Sequence, residues 1–406
     1  VHILFLTDNF PPEGNAPASR TYEHVREWVK EGHKVTVITC APNFPDGKVF
    51  PQYKNKWLSK ESIEGIEIWR VKTYITANEG FLKRTLDFVS FMISSFFFGL
   101  FSKKIDIVVG TSPQFFTVIS AWALAKFKRV PFVFELRDIW PASITAVGAM
   151  KKSKVINILE RIEMFLYRQA DAIISVTHSF KSELIERGVD IDKIHVVLNG
   201  VDLAQYSPRK IKDPIFAKEF NLEGKFVAGY VGTHGLAHAL DKLVDAASLL
   251  KDRDDIRVLF AGGGADRPRI EQLVAESQLN NIVMIPRQPK DLMPKLWSLC
   301  DASIISLKDT PLFKTVIPSK IFESMGMGLP MIIAAPPGEA TEIVQKANSG
   351  LVVAAENEIQ IADAITTLAN DNESYAIFES ASYESAKQYD RKVLASKMIK
   401  ILEKLV

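Results

Sequence analysis

Residues 316–330 read VIPSKIFESMGMGLP. An apolar, β-branched lead-in meets Pro318. A hydroxyl and an ammonium follow at Ser319 and Lys320, and a carboxylate comes one turn later at Glu323. A helix N-terminus carries roughly half a positive charge and offers unpaired N–H groups, so it is suited to anions. Proline fits the first helical position because its missing N–H would have no partner there. A hydroxyl and a full positive charge at that end suit a diphosphate. Glu323, one turn on and on the same side, suits the diol of a ribose. The same residues also describe an ordinary capped helix with a solvated Lys–Glu face.

Three further stretches carry residue types that fit such a ligand. YVGTHGLAHALD (Tyr230–Asp241) and FAGGGADRPRIE (Phe260–Glu271) are strand–glycine loop–helix turns. Glycine lets backbone approach a phosphate closely. Neither turn completes the dinucleotide fingerprint, so each reads equally as a tight βα turn. FPPEGNAPASRTYEHVREW (Phe10–Trp28) places Arg20 near a helix start, where the dipole disfavours a cation. That conflict fits either an anionic ligand or an exposed arginine. FELRDIWPAS (Phe134–Ser143) ends a strand in Glu135, Arg137 and Asp138 beside Trp140. Arg137 and Asp138 are either a structural ion pair or site residues, with Trp140 as an apolar wall.

Elements that would position these residues follow one rhythm. Candidate strands at His2–Thr7, Lys34–Thr39, Ile66–Val71, Ile105–Val109, Phe132–Leu136, Ala172–Val176 and Ile194–Leu198 are interleaved with helical patterns at Ser19–Glu31, Pro113–Lys126, Val155–Gln169 and Phe180–Arg187. This is the signature of βαβ units and a parallel sheet. After NGVD (Asn199–Asp202), a polar stretch with two prolines reads as an inter-domain linker. The rhythm then restarts at Phe226–Val231 and runs to Leu351–Ala354, with a helical tail over Ser374–Val406. Two Rossmann-like domains in tandem are expected. Ligands of such sheets bind outside the carboxyl ends of the strands.

Composition narrows the function classes. The 406 residues are 47% hydrophobic and 24% charged, ordinary globular values for two domains, and the net charge of +2 gives no footprint for an electrostatically driven nucleic-acid binder. Cys40 and Cys300 both lie in apolar runs and read as buried thiols, and no Cys-x-x-Cys or histidine cluster suggests a metal. VHILFLTDNF reads as a buried first strand and not a signal peptide. LDFVSFMISSFFFGLF (Leu86–Phe101), flanked by Lys83, Arg84, Lys103 and Lys104, is shorter than the ~20 residues that span a bilayer. It is either a packed helix or an in-plane membrane anchor.

Taken together, PPEGNAPASR, EGHKVTVIT, NGVD, YVGTHG, AGGG and PSKIFESMGMGLP occur in the order found in retaining glycosyltransferases of family 4, which this chain resembles along essentially its whole length. The stretch from LFLTDNF to GKVF (Leu4–Phe50) and RDIWP look more narrowly like transferases of bacterial O-antigen and capsule clusters, of the WbuB N-acetyl-L-fucosamine type. The resemblance implies the GT-B fold: α/β, two Rossmann-like domains facing each other across a deep cleft. It implies residues 1–204 as an acceptor-binding domain, 205–387 as a nucleotide-sugar domain, and a terminal helix at about 388–406 packing back on the first.

It further implies a retaining, metal-independent transfer from a UDP-sugar, with no cofactor, to an undecaprenyl-diphosphate-linked glycan. The setting would be the cytoplasmic face of the membrane, reached through about Phe81–Lys104. Carried over residue by residue, Gly14, Gly232, Thr233, His234, Gly263, Arg267, Arg287, Pro318, Ser319, Lys320 and Glu323 would bind the donor. Asn15, Arg20, Trp140 and His178 would bind the acceptor, and Arg137, Asp138 and Lys320 would act in catalysis. The chain departs from the family at four places. Thr315 stands where the first carboxylate of a paired motif belongs, Thr233 and His238 replace the usual Arg and Lys, Gly14–Asn15 replaces Gly-Gly, and Arg137 replaces a histidine. Lys320 is then left with more of the diphosphate, helped by Arg267, Arg287 or Arg20. Alternatives of other classes are a GT-B sugar-nucleotide epimerase, a dinucleotide-dependent oxidoreductase and a non-catalytic binding module.

Overall fold

The computed structural model describes residues 1–76, 81–112, 114–141, 154–209 and 211–406. Pro113 and Ser143, which begin and end two of the stretches discussed above, lie outside them. The chain divides into two compact units, Val1–Leu198 with Arg391–Val406, and Asn199–Asp390.

The first unit is built on an eight-stranded sheet of β1 (His2–Leu6), β2 (Lys34–Cys40), β3 (Leu58–Ile63), β4 (Ile66–Val71), β5 (Ile107–Thr111), β6 (Phe132–Leu136), β7 (Ala172–Ser175) and β8 (Ile194–Val196). Their order is β3-β4-β2-β1-β5-β6-β7-β8. All pairs are parallel except β3–β4. β1, β5, β6 and β7 are buried at every position, as expected of strands covered on both faces. β3 was not expected from the sequence. Its residues LSKESI are half exposed and pair antiparallel at the sheet edge, through a turn in which Glu64 and Gly65 both have positive φ.

Helices α1 (Ala16–Lys30), α2 (Phe81–Gly99), α3 (Phe115–Lys128), α4 (Lys154–Gln169) and α5 (His178–Glu186) complete the first pass of the chain. Asn15 caps α1 by accepting from the Ala18 N–H at 2.9 Å.

The second unit carries a six-stranded parallel sheet: β9 (Phe226–Val231), β10 (Ile256–Gly262), β11 (Ile282–Pro286), β12 (Ala302–Ser306), β13 (Met331–Ala334) and β14 (Gly350–Val353), ordered β11-β10-β9-β12-β13-β14. The order reverses between β9 and β12, which is the topological switch point. The polar stretch expected to be a linker is instead part of this unit. It forms α6 (Pro214–Glu219), capped by Asp213, and buries Tyr206, Ala217 and Leu222 in the same core as Trp297 and Phe322. Its apolar residues are spaced among charges, which hid them in the sequence. Helices α7 (Leu240–Leu249), α8 (Arg267–Ser277), α9 (Met293–Trp297), α10 (Lys320–Gly326), α11 (Glu339–Lys346), α12 (Glu358–Asn370) and α13 (Asn372–Ala386) follow.

The last helix, α14 (Arg391–Glu403), returns to the first unit and lies against α1. The Trp28 indole donates to the Ala395 carbonyl at 2.8 Å, and Arg391 pairs with buried Glu23 at 2.7 Å.

Candidate active site

At the switch point of the second unit, Lys320 opens α10. Its side chain is buried, with 8% exposure, and its ammonium has no hydrogen-bond partner. The nitrogen sits 3.6 Å from the centre of the Tyr230 ring, a cation–π contact. Burial pushes the Lys320 pKa down to about 7, with Glu323 pulling weakly the other way. Buried amines without a counter-ion are rare because the desolvation penalty is large. This one is aimed at the backbone of Gly232, where a Cβ would come within 3.2 Å of the nitrogen.

Tyr230 is the centre of the cluster. His234 and His238 both lie with ring centroids 5.8 Å from it, and its hydroxyl donates to the Thr233 carbonyl at 2.6 Å. His234 is fully buried and neither ring nitrogen has a partner. The His238 Nδ1 lies 3.3 Å from the Ser306 carbonyl at the end of β12. Burial, with the nearby cations, lowers both imidazoles to about 4.

The two glycine loops are zipped to each other. The His234 N–H donates to the Gly263 carbonyl at 2.9 Å, and Asp266 N–H to the His234 carbonyl at 3.0 Å. Gly262 has φ +143, and a Cβ there would collide with the Gly232 carbonyl oxygen. This glycine therefore serves loop-to-loop contact, which the sequence could not separate from ligand contact. Gly262→Ala should destabilise the second unit by about 1–3 kcal/mol in chemical denaturation, by overpacking and backbone strain together. A stability within error of the wild type would contradict the geometry.

The other residues expected around the donor fall into three groups. Ser319 is the N-cap position of α10 with no side-chain cap bond, and Pro318 precedes it, so the proline lies just outside the helix and not at its first position. Glu323 lies on the first turn and accepts from the Trp297 indole at 3.1 Å. Arg267 is committed elsewhere: it donates to the carbonyls of Gly262 and Ile285 and pairs with Glu271 at 2.7 Å. Arg287 is exposed at the carboxyl end of β11 beside Gly263, and the Thr233 side chain is exposed.

In the first unit the structure corrects one expectation outright. Arg20 is not a ligand-facing arginine. It is fully buried, pairs with Glu135 at 2.8 Å, and donates to the carbonyls of Leu198 at 2.7 Å and Val197 at 3.0 Å. The dipole conflict at the helix start is resolved by Glu135, from β6. Burial raises the Glu135 carboxyl, but Arg20 and Arg137 outweigh it and hold the pKa below the ordinary value. Arg137 and Asp138 do not pair as a simple surface couple. Their N–H groups share the Ser112 hydroxyl, at 2.8 and 3.3 Å, and Arg137 reaches the Pro17 carbonyl at 3.2 Å. Both remain half-buried at the carboxyl end of β6.

Asn15 is spent on capping and on Asn9, while Gly14 is exposed just ahead of it. Trp140 stacks on Phe115, 4.9 Å between ring centres. His178 opens α5 and lines an open groove of about 930 Å³ with Lys181, His195, Lys397 and Lys400, beside the edge strand β8. Lysines along an exposed edge discourage strand pairing with another chain.

Comparison with known proteins decides the class. Residues 18–205 match the family model described as Glycosyltransferase Family 4, and residues 211–385 match Glycosyl transferases group 1. The chain belongs to the GT-B glycosyltransferases. Among curated relatives of this glycosyltransferase, WcaI of Escherichia coli K12, named as a colanic acid biosynthesis glycosyl transferase, is 26% identical over 82% of this chain and 83% of its own. The N,N'-diacetylbacillosaminyl-diphospho-undecaprenol alpha-1,3-N-acetylgalactosaminyltransferase of Campylobacter jejuni is 20% identical over 70% of this chain and 73% of its own. Solved structures share the fold. Sucrose-phosphate synthase from Thermosynechococcus elongatus aligns with a TM-score of 0.80 at 15% identity, covering 100% and 98% of the two chains. HepE of Anabaena, solved with UDP-glucose, aligns at 0.71 with 16% identity over 100% of both.

Several groups in the glycosyltransferase escaped the sequence reading. Tyr230 looked like one more apolar strand residue; only its place two residues before Gly232 hinted at its role. Asp8, at the end of β1, has its carboxyl pushed up to about 8 by burial and by Asp87 and Glu13. Buried Glu13 holds the first loop by accepting from the N–H groups of Asn43 at 2.8 Å and Phe44 at 2.9 Å. Among the described residues, no group of three or more His, Cys, Asp or Glu is placed to hold a metal ion.

Proposed function

We propose that the protein transfers an N-acetylated deoxy-amino sugar such as N-acetylfucosamine, with retention and without a metal, from a UDP-sugar to a lipid-linked glycan during O-antigen or capsule synthesis. The observation that carries the donor site is the buried, partnerless Lys320 ammonium at the switch point of the second unit, backed by Tyr230 and aimed at the Gly232 turn. A group buried at such cost is explained by an anion that replaces its lost hydration.

In this reading Lys320 and Ser319 meet the diphosphate, and Glu323 accepts from the ribose diol. The acceptor hydroxyl oxygen bonds to the anomeric carbon while the bond from that carbon to the diphosphate oxygen breaks. The hydroxyl proton passes to a phosphate oxygen on the same face, and the nucleoside diphosphate leaves. Arg137 and Asp138, at the carboxyl end of β6, orient the acceptor. The likeness to WcaI and to the Campylobacter diphospho-undecaprenol enzyme supports a polysaccharide pathway and a lipid-linked acceptor. The epimerase alternative is not favoured, since these relatives are named as transferases.

The test is titration with UDP and GDP in chelator, followed by incubation of UDP-amino-sugars with a short-chain lipid diphosphate glycan and assignment of the product anomer. A product with inverted configuration, or a strict metal requirement, would refute the mechanism.

The acceptor's lipid also gives α2 a role. No described helix is long and apolar enough to cross a membrane. Yet Leu86, Ile93, Phe97 and Phe101 are 57, 60, 54 and 61% exposed, while Phe91 and Ser95 are buried. At 3.6 residues per turn Leu86, Ile93 and Phe97 fall on one stripe, and Phe101, just past the helix, packs on Phe97 with ring centres 5.5 Å apart, with Lys83, Arg84, Lys103 and Lys104 at the two ends. An apolar stripe with basic flanks suits in-plane docking on an anionic leaflet. Phe97→Ser with Phe101→Ser should release the protein from anionic liposomes in flotation, with turnover on a water-soluble acceptor retained. Undiminished flotation of the double variant would rule out this face.

A further inference from the structure

The cluster around Tyr230 holds more than the lysine. Its second member is His238, which stands where the family resemblance places a permanent cation. The Ser306 carbonyl, 3.3 Å from Nδ1, can only accept, so Nδ1 carries the hydrogen in the neutral ring. Nε2 then presents a lone pair, and among the described residues it has no hydrogen-bond partner. A lone pair repels phosphate oxygens; an Nε2–H⁺ donates to them. Lys320 and His238 also both lie against the Tyr230 ring, and after burial the lysine is the larger influence holding the His238 imidazole down.

Resting on the donor-site reading above, we propose that Lys320 and His238 together are the diphosphate clamp, and that they acquire their charge by taking up protons from solvent as the sugar nucleotide binds.

The surroundings fit this assignment. From β9 and its loop come Tyr230, which does not ionise near neutrality, and buried His234. From β12 come the carbonyl and hydroxyl of Ser306, and from the loop after it Lys308, whose N–H donates to the Ala237 carbonyl at 2.9 Å. From α10 comes Glu323, whose carboxylate accepts from Trp297. From α8 and the loop before it, Arg267 is paired with Glu271 and Asp266 with Arg269, and these bear on His234 more than on the pair itself. None of these carboxylates forms an ion pair with Lys320 or His238. Burial therefore favours neutral bases, with Lys320 at about 7 and His238 at about 4, and a bound dianion favours charged ones.

The test uses UDP-glucose and GDP-mannose, diphosphodiesters whose phosphates do not ionise near neutrality. Binding is measured by calorimetry across the neutral range in buffers of differing ionisation enthalpy. Affinity should fall by about tenfold per pH unit for each proton taken up as pH rises through and above neutrality, with a buffer-dependent heat reporting uptake of about one proton or more. His238→Gln should reduce the uptake, and His238→Lys should bind with a shallower pH dependence than the wild type, both with wild-type melting temperatures. Binding with no proton uptake and a flat pH profile overturns the inference while leaving the donor site standing. Uptake and pH dependence unchanged in His238→Gln overturn the histidine's part. A folded protein that binds neither probe at any pH overturns the donor reading and this inference with it.

Discussion

Lys320→Met makes the unliganded protein more stable and removes donor binding. The two effects have one cause. The unfolded lysine ionises near 10.5, whereas burial holds the folded one near 7. Between those values the unfolded state binds more protons, so stability rises with pH through this window and the penalty is full below about pH 7. Methionine has a side chain of similar length without the charge, so the desolvation penalty goes with the ammonium. The rise in melting temperature should be largest at neutral or mildly acid pH and fade toward pH 10. Turnover should fall by about a hundredfold or more, as when a preorganised donor to a developing anion is lost. Calorimetric melts across pH, beside titration with the nucleotide, check both arms. A variant that turns over normally would remove Lys320 from the chemistry, and one that melts lower would mean the ammonium is compensated in the empty site.

The opposite behaviour is expected of Arg20→Met. Arg20 is no less buried, but it is fully partnered, by Glu135 at 2.8 Å and by two carbonyls. Removing it strands a buried carboxylate and the carbonyls of Val197 and Leu198. Breaking a buried pair from one side costs about 3–5 kcal/mol. The Glu135 pKa is held below its ordinary value, so the stability it contributes is present above the unfolded pKa and is lost as pH falls. The deficit of the variant should therefore shrink in acid. Arg20→Met with Glu135→Leu should recover most of the loss, because no charge is left unpaired. Denaturant melts of the single and double variants decide it. Wild-type stability with lost activity in the single variant would instead return Arg20 to the ligand role that its sequence position suggested.

The contrast between these two residues marks where sequence reading stopped. Both are cations at a helix start, and both were read as anion ligands. Their difference lies in what the fold brings opposite them. Arg20 meets Glu135, 115 residues away on β6. Lys320 meets an aromatic ring and no ion-pairing carboxylate. No local pattern encodes that distinction, because it depends on contacts between elements far apart in the chain.

Elements whose signal is local were legible. The strands over Ile66–Val71, Phe132–Leu136 and Phe226–Val231 have the bounds expected of them. Continuous β-branched runs between helical periods leave little choice when both faces of a sheet are covered. The polar edge strand β3 and the buried stretch around Tyr206 and Leu222 were missed, since each mixes charge with its apolar positions.

Two tandem α/β domains, glycine turns after the strands and a phosphate-suited helix start followed from the order of residues alone, because periodicity and turn chemistry act over a few neighbours. Which glycine serves the fold, which arginine is structural, and that Tyr230 gathers Lys320, His234 and His238 into one cluster were decided only in three dimensions. Burial and the identity of the opposing group set both the charge state and the role of an ionisable side chain, and neither exists until the sheets have assembled.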